Sequence, residues 1–157
     1  PGMRYSLISR EYIADSIELM HEGYMADAMI TLSGCDKSVP AAAMPLARCD
    51  AVGLMLYGGT AQPGHCEGCL NTKGGDGLDA KDVMEAIASY STDQMSLESF
   101  EKYEKNALPG PGTCSAMFTA NTMSSAIEAL GLSPPGTASH PATERNSRSV
   151  TEQKRRD

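Results

Sequence analysis

Ile13, Ile17, Met20 and Tyr24 recur at helical spacing with mostly polar residues between them. The spacing predicts a helix from about Arg10 to Glu22, capped by Ser9 and stopped near Gly23. Ala28–Leu32 is a short apolar run closed by Ser33-Gly34, which predicts a buried strand. A second helix is expected to open at Pro40, suited to a first helical position, and to run toward Arg48, with Pro45 kinking or shortening it. Ala51–Tyr57 is another apolar run, ended by Gly58-Gly59. Strand, helix and strand in roughly 30 residues predict a βαβ unit with parallel strands. Residues 60–78 are rich in Gly and polar side chains and read as a long loop of the kind that often carries function. Asp79 and Ser96 cap two further helices, to about Tyr90 and Asn106. A last helix is expected from about Ser115 to Leu130, with Gly131 as its C-terminal cap. The fold class expected is α/β, a mostly parallel sheet flanked by helices, over residues 1–143, with a polar, frayed tail over 144–157.

Composition narrows the functional classes. The chain has 157 residues, 13 basic against 20 acidic, and a formal net charge of −7. That balance excludes a general nucleic-acid binder, which needs a basic face to displace counterions; Lys154-Arg155-Arg156 reads as a solvated tail. No run approaches the ~18 apolar residues of a membrane span, and no signal pattern opens the chain. The start at Pro1-Gly2-Met3-Arg4 reads as a segment cut from a longer protein or processed there. Cysteines stand at 35, 49, 66, 69 and 114. An odd number without a secretory signal favours reduced thiols, in a cytoplasmic or organelle-matrix setting, over a disulfide framework.

Several residues could carry chemistry, each against a plainer alternative. Cys35-Asp36-Lys37 follows the first expected strand, and ligands of open α/β sheets gather at carboxyl ends of strands. The plainer alternative is a strand-end thiol beside a solvated ion pair. Cys114 is expected at a helix mouth, where free N–H groups and the dipole favour a thiolate, or it is simply a cap residue. Cys66 and Cys69 form a C-x-x-C beside His65: a zinc module, a redox dithiol, or incidental loop cysteines. Cys49 reads as a small core residue. His21 and His140 read as solvated or structural, without an obvious partner.

Three segments taken together carry more. Pro1–Leu7 with Ser9-Arg10-Glu11 and Ile13–Ser16, Gly34-Cys35-Asp36-Lys37-Ser38-Val39-Pro40, and Gly112-Thr113-Cys114-Ser115 running on to Met123 resemble, in order and separation, blocks of the dihydroxy-acid and sugar-acid dehydratase family. The resemblance covers most of residues 1–143, and three long motifs in order are far more specific than any one.

The resemblance implies part of the N-terminal domain of a larger two-domain hydro-lyase, usually a homo-oligomer. Such enzymes take water from a 2,3-dihydroxy acid to give a 2-keto acid, as in branched-chain amino acid biosynthesis. An iron–sulfur cluster, 2Fe-2S or 4Fe-4S, acts there as Lewis acid beside Mg²⁺. On the matching positions Cys35 and Cys114 would be cluster ligands, and Asp36 and Lys37, the latter as a carbamate, magnesium ligands. A third cysteine, further magnesium ligands and the catalytic base are implied to lie outside residues 1–157. Alternatives from the sequence are a sugar-acid (aldonate) dehydratase and a catalytically incomplete structural or metal-binding remnant. A zinc module on His65, Cys66 and Cys69, and one of those cysteines serving as the third cluster ligand, are further alternatives.

Overall fold

The computed structural model of the chain describes residues 2–69 and 77–143. A 3-10 turn at Gly2–Tyr5 leads into α1 (Ser6–Tyr24), followed by β1 (Ala28–Ser33), α2 (Ser38–Arg48) and β2 (Val52–Tyr57). β3 (Gly64–His65), β4 (Gly77–Leu78), α3 (Ala80–Ser91), α4 (Leu97–Asn106), α5 (Thr119–Ala129) and a 3-10 turn at Thr137–Ser139 complete the order. β1 and β2 pair in parallel from Ala28 opposite Val52 to Ser33 opposite Tyr57, so the expected βαβ unit is present. β3 and β4 are a two-residue antiparallel pair within the region read as loop. The expected tail at 144–157 lies outside the described residues. No helix among the described residues is long and apolar enough to cross a membrane.

α2 covers one face of the strand pair. Val39, Ala42 and Leu46 pack with Met29, Met55, Tyr57 and, from α5, Ile127. Pro45 neither ends this helix nor stops its bonding: Arg48 is still helical, and the Cys49 N–H donates to the Pro45 carbonyl at 2.9 Å. The other face of β1 corrects the expectation of a buried strand. Met29 and Thr31 are buried, but Ile30 and Leu32 are each 73% exposed, because α2 reaches only one side of the pleat.

α1 starts four residues earlier than expected. Ser9 does not cap it, since its hydroxyl donates instead to the Ser6 carbonyl at 2.8 Å. Its end also moves: Gly23 stays helical and Met25, at φ 49°, takes the left-handed cap, with its N–H bonded to Glu22 and that of Ala26 to His21. Arg48 ties the end of α2 to α1 through Asp15 at 2.9 Å and Glu18 at 3.4 Å. These groups are exposed, so the ion pairs orient the helices more than they stabilise them.

α3 and α4 form a second small layer around Leu78, Ala86, Tyr103 and Ala107. Their caps are those the sequence predicts. Asp79 accepts from the N–H groups of Lys81 and Asp82 while the Asp82 carboxylate accepts from the Asp79 N–H, a closed capping box. Ser96 accepts from the Ser99 N–H at 3.2 Å.

Candidate functional site

The site is assembled where β1 and β2 end. Their last residues, Ser33 and Tyr57, are in register, and the Gly58 N–H donates to the Ser33 carbonyl at 2.8 Å. The chain after β2 continues as an extended segment with a neighbour on each side. Thr60 forms parallel bridges with Thr113 and with Pro141. On one side the Ala61 N–H donates to the Thr113 carbonyl at 2.8 Å, and the Thr113 N–H to the Gly59 carbonyl at 3.0 Å. On the other the Thr60 N–H donates to the His140 carbonyl at 3.3 Å and the Ala142 N–H to the Thr60 carbonyl at 2.8 Å.

Side chains lock the same junction. The Thr60 hydroxyl donates to the Cys114 carbonyl at 2.7 Å. The Tyr57 hydroxyl bonds the Thr113 hydroxyl closely and donates to the Asn121 side-chain carbonyl at 3.1 Å. Burial is the main reason the Tyr57 phenol titrates above its ordinary value. Gly112, at φ +131°, allows the approach: a Cβ there would run into the backbone of Thr60 and Ala61. Gly34 lies so close to Thr113 that a Cβ on it would meet the Thr113 methyl at 3.0 Å.

Cys35 and Cys114 are the next residues after Gly34 and Thr113, so this packing sets their loops side by side, with both thiols free and exposed. Cys35 is held by its N–H on the Ser38 hydroxyl at 3.0 Å and by its carbonyl, which accepts from the Val39 N–H at 3.0 Å. Its thiol donates to Asp36 Oδ1 at 3.2 Å, an oxygen that also accepts from the Lys37 N–H at 2.8 Å. Asp36 and Lys37 are half-buried, and the Lys37 ammonium makes no ion pair among the described residues. The donors match the implied groups in kind: soft, accessible thiols for iron and sulfide, an oxygen donor for a hard cation. Cys35, Asp36 and Cys114 are not a trio of donors within 4.8 Å of one another. Beside them, the Ser115 hydroxyl is buried with no hydrogen-bond partner among the described residues.

Three expectations about cysteines and histidines change. Cys114 does not open a helix. Residues 115–118 are bends, the Phe118 N–H bonds back to the Ala116 carbonyl at 2.8 Å, and α5 begins at Thr119. Thr113 and Cys114 are committed to the extended junction with Thr60 and four bend residues separate Cys114 from α5, so the dipole argument for a Cys114 thiolate does not apply. Cys66 and Cys69 are joined as a disulfide packed against the α3–α4 core, not held as two reduced thiols beside His65 as a zinc module needs. His21 is not solitary either, since it lies with Glu22 and Cys49, and Cys49 is a half-buried neighbour of the core. Tyr57 and Thr60 gave no signal in the sequence as joining residues, and Thr113 and Asn121 stood out only as members of a family block.

A parallel βαβ unit with thiols and a carboxylate on loops at the carboxyl end of its strands defines an α/β protein, and open α/β sheets gather their ligands at that end. A family model described as "Dihydroxy-acid/6-phosphogluconate dehydratase N-terminal" matches residues 1–156. The chain belongs to this family of dehydratases, that is, of hydro-lyases. It is 46% identical over 149 residues to a protein of Thermus thermophilus named dihydroxy-acid dehydratase, covering 92% of this chain and 26% of that one. Proteins of the same name from a Roseiflexus species and from Streptococcus pneumoniae are 48% and 44% identical, over 95% and 90% of this chain and 25% and 24% of their own lengths. The chain thus spans about a quarter of the length of these curated relatives.

Proposed function

We propose that the protein to which this chain contributes its N-terminal portion dehydrates 2,3-dihydroxy acids to 2-keto acids, in the manner of branched-chain amino acid precursor synthesis. The observation that carries this reading is the packing of the Gly34-Cys35-Asp36-Lys37 loop against the Gly112-Thr113-Cys114 loop, two family blocks far apart in sequence. The names of the similar proteins favour a dihydroxy acid over an aldonate substrate.

In this reading Cys35 and Cys114 hold an iron–sulfur cluster, and Asp36, with Lys37 as its carbamate, contributes oxygen donors to Mg²⁺. The cluster supplies Lewis acidity toward a departing hydroxyl when bound. The chain's own part is positioning. Tyr57 holds the Thr113 side chain, Thr60 the backbone of residues 113–114, and the Ser38 hydroxyl fixes Cys35. As a cluster ligand Cys35 would be a thiolate, its proton lost to solvent, and Asp36 Oδ1, which accepts from that thiol here, would be available to a cation. In this reading the described residues supply two of the cluster thiols, Cys35 and Cys114, the base that takes the substrate proton comes from elsewhere in the protein, and turnover belongs to the whole protein.

Anaerobic reconstitution of the chain with iron and sulfide, followed by visible absorption and by iron and sulfide content, tests the ligand assignment. Uptake is expected for the native chain and is expected to be lost in a Cys35→Ser, Cys114→Ser double variant. Uptake unchanged in that variant refutes it. The parent protein, assayed for 2-keto acid from a branched dihydroxy acid and from gluconate, separates the two substrate classes.

A further inference from the structure

Away from the cysteine loops, the C-terminal ends of α1 and α2 meet at the surface. His21 and Glu22 lie in the last turn of α1, and Cys49 caps α2. One ligand atom from each of these three residues lies within 4.8 Å of the others, the single such trio of His, Cys, Asp or Glu among the described residues. We propose that His21, Glu22 and Cys49 form a binding site for one zinc-class divalent cation, separate from the Cys35–Cys114 loops.

The donor set argues for that class. One sulfur, one imidazole nitrogen and one carboxylate oxygen suit a borderline-soft ion that accepts tetrahedral coordination, with water in the fourth place. The surroundings favour positive charge. Two helices end here, each with the negative end of its dipole. Arg48 engages Glu11, Asp15 and Glu18, while Glu22 stands outside that ion-pair network. A plain thiol–carboxylate hydrogen bond accounts for Cys49 beside Glu22, and it leaves the convergence of His21 on the same point unexplained. Half-buried His21 and Cys49 with exposed Glu22 leave the site open to an entering ion. On binding, the Cys49 thiol releases its proton to solvent and the S–metal bond takes its place. The ion then links α1 to α2, so it stabilises the fold by mass action.

The test starts from the chain carrying Cys35→Ser and Cys114→Ser, metal-free and under a non-chelating reductant. Zn²⁺ uptake is measured in competition with a chromophoric chelator, and Co²⁺ is used to read thiolate-to-metal absorption. One equivalent bound, a thiolate–cobalt band and a raised thermal midpoint are expected. Cys49→Ser and His21→Gln are each expected to weaken uptake by roughly tenfold or more, since even outer groups around a metal have effects of that size. Far-UV circular dichroism checks that both variants fold, and His21→Gln, a change in a half-buried position of an intact helix, keeps the test open if Cys49→Ser unfolds. No uptake overturns the proposal. So does uptake that survives both changes but falls with Cys66→Ser and Cys69→Ser, which would put the ion on that pair.

Discussion

Replacing Gly112 with alanine should disrupt the junction that brings the two cysteine loops together. The residue sits at φ +131°, a region that essentially only glycine occupies, and an L side chain held there costs of order 1–3 kcal/mol. Relief by local shift is blocked, because the new Cβ would meet backbone atoms of Thr60 and Ala61 and not a side chain that can turn away. If the loop retreats instead, the bonds from Ala61 N–H to Thr113 carbonyl and from Thr113 N–H to Gly59 carbonyl are lost. These are worth about 1 kcal/mol each. The first route costs about 1–3 kcal/mol and the second about 2 kcal/mol, and the second also moves Cys114 away from Cys35. Urea unfolding read by circular dichroism should show a lower midpoint with an unchanged slope, and iron–sulfur reconstitution should fall even where the variant is fully folded. A variant within about 0.5 kcal/mol of the native chain, with undiminished cluster uptake, would refute the argument that this close approach builds the site.

Two further outcomes follow from the same geometry. Tyr57→Phe removes the hydroxyl that joins Thr113 to Asn121, and should lower stability by about 1–2 kcal/mol in urea and reduce cluster uptake while leaving helix content unchanged. Glu128 is held ionised below the ordinary carboxylate range, first by the Gly136 N–H at 2.6 Å, then by the Ala138 N–H at 2.9 Å. Because its folded pKa is depressed, the stability it contributes is full above the unfolded carboxylate value of roughly 4.3, and is lost as pH falls through the lower folded value. Glu128→Gln should therefore unfold at lower urea than the native chain at neutral pH, and the two midpoints should converge in acid; a gap that stays constant would refute the assignment.

The order strand, helix, strand, the caps at Asp79, Ser96 and Gly131, and the family are all legible in the linear chain. Each of these is written locally: in the spacing of apolar residues, in a carboxylate or hydroxyl beside free N–H groups, or in a run of contiguous motif residues. Element limits were less legible where a side chain had two options, as with Ser9, which bonds back into its own helix, and Met25, which takes the left-handed cap beyond Gly23. Which distant residues meet is a matter of three-dimensional packing. Residues 34, 57–61, 112–114 and 140–142 come together through backbone bridges at Thr60 and side-chain contacts of Tyr57 and Thr113, none of which carries a periodic signature. The docking they impose also delays α5 to Thr119, against the local pattern. The same holds for His21 and Cys49, which meet because two helices pack side by side, and for Ile30 and Leu32, apolar yet uncovered because one helix can shield only one face of a strand pair. Hydrophobic pattern tells a residue's preference for burial, whereas the packing of particular elements decides whether anything is there to bury it.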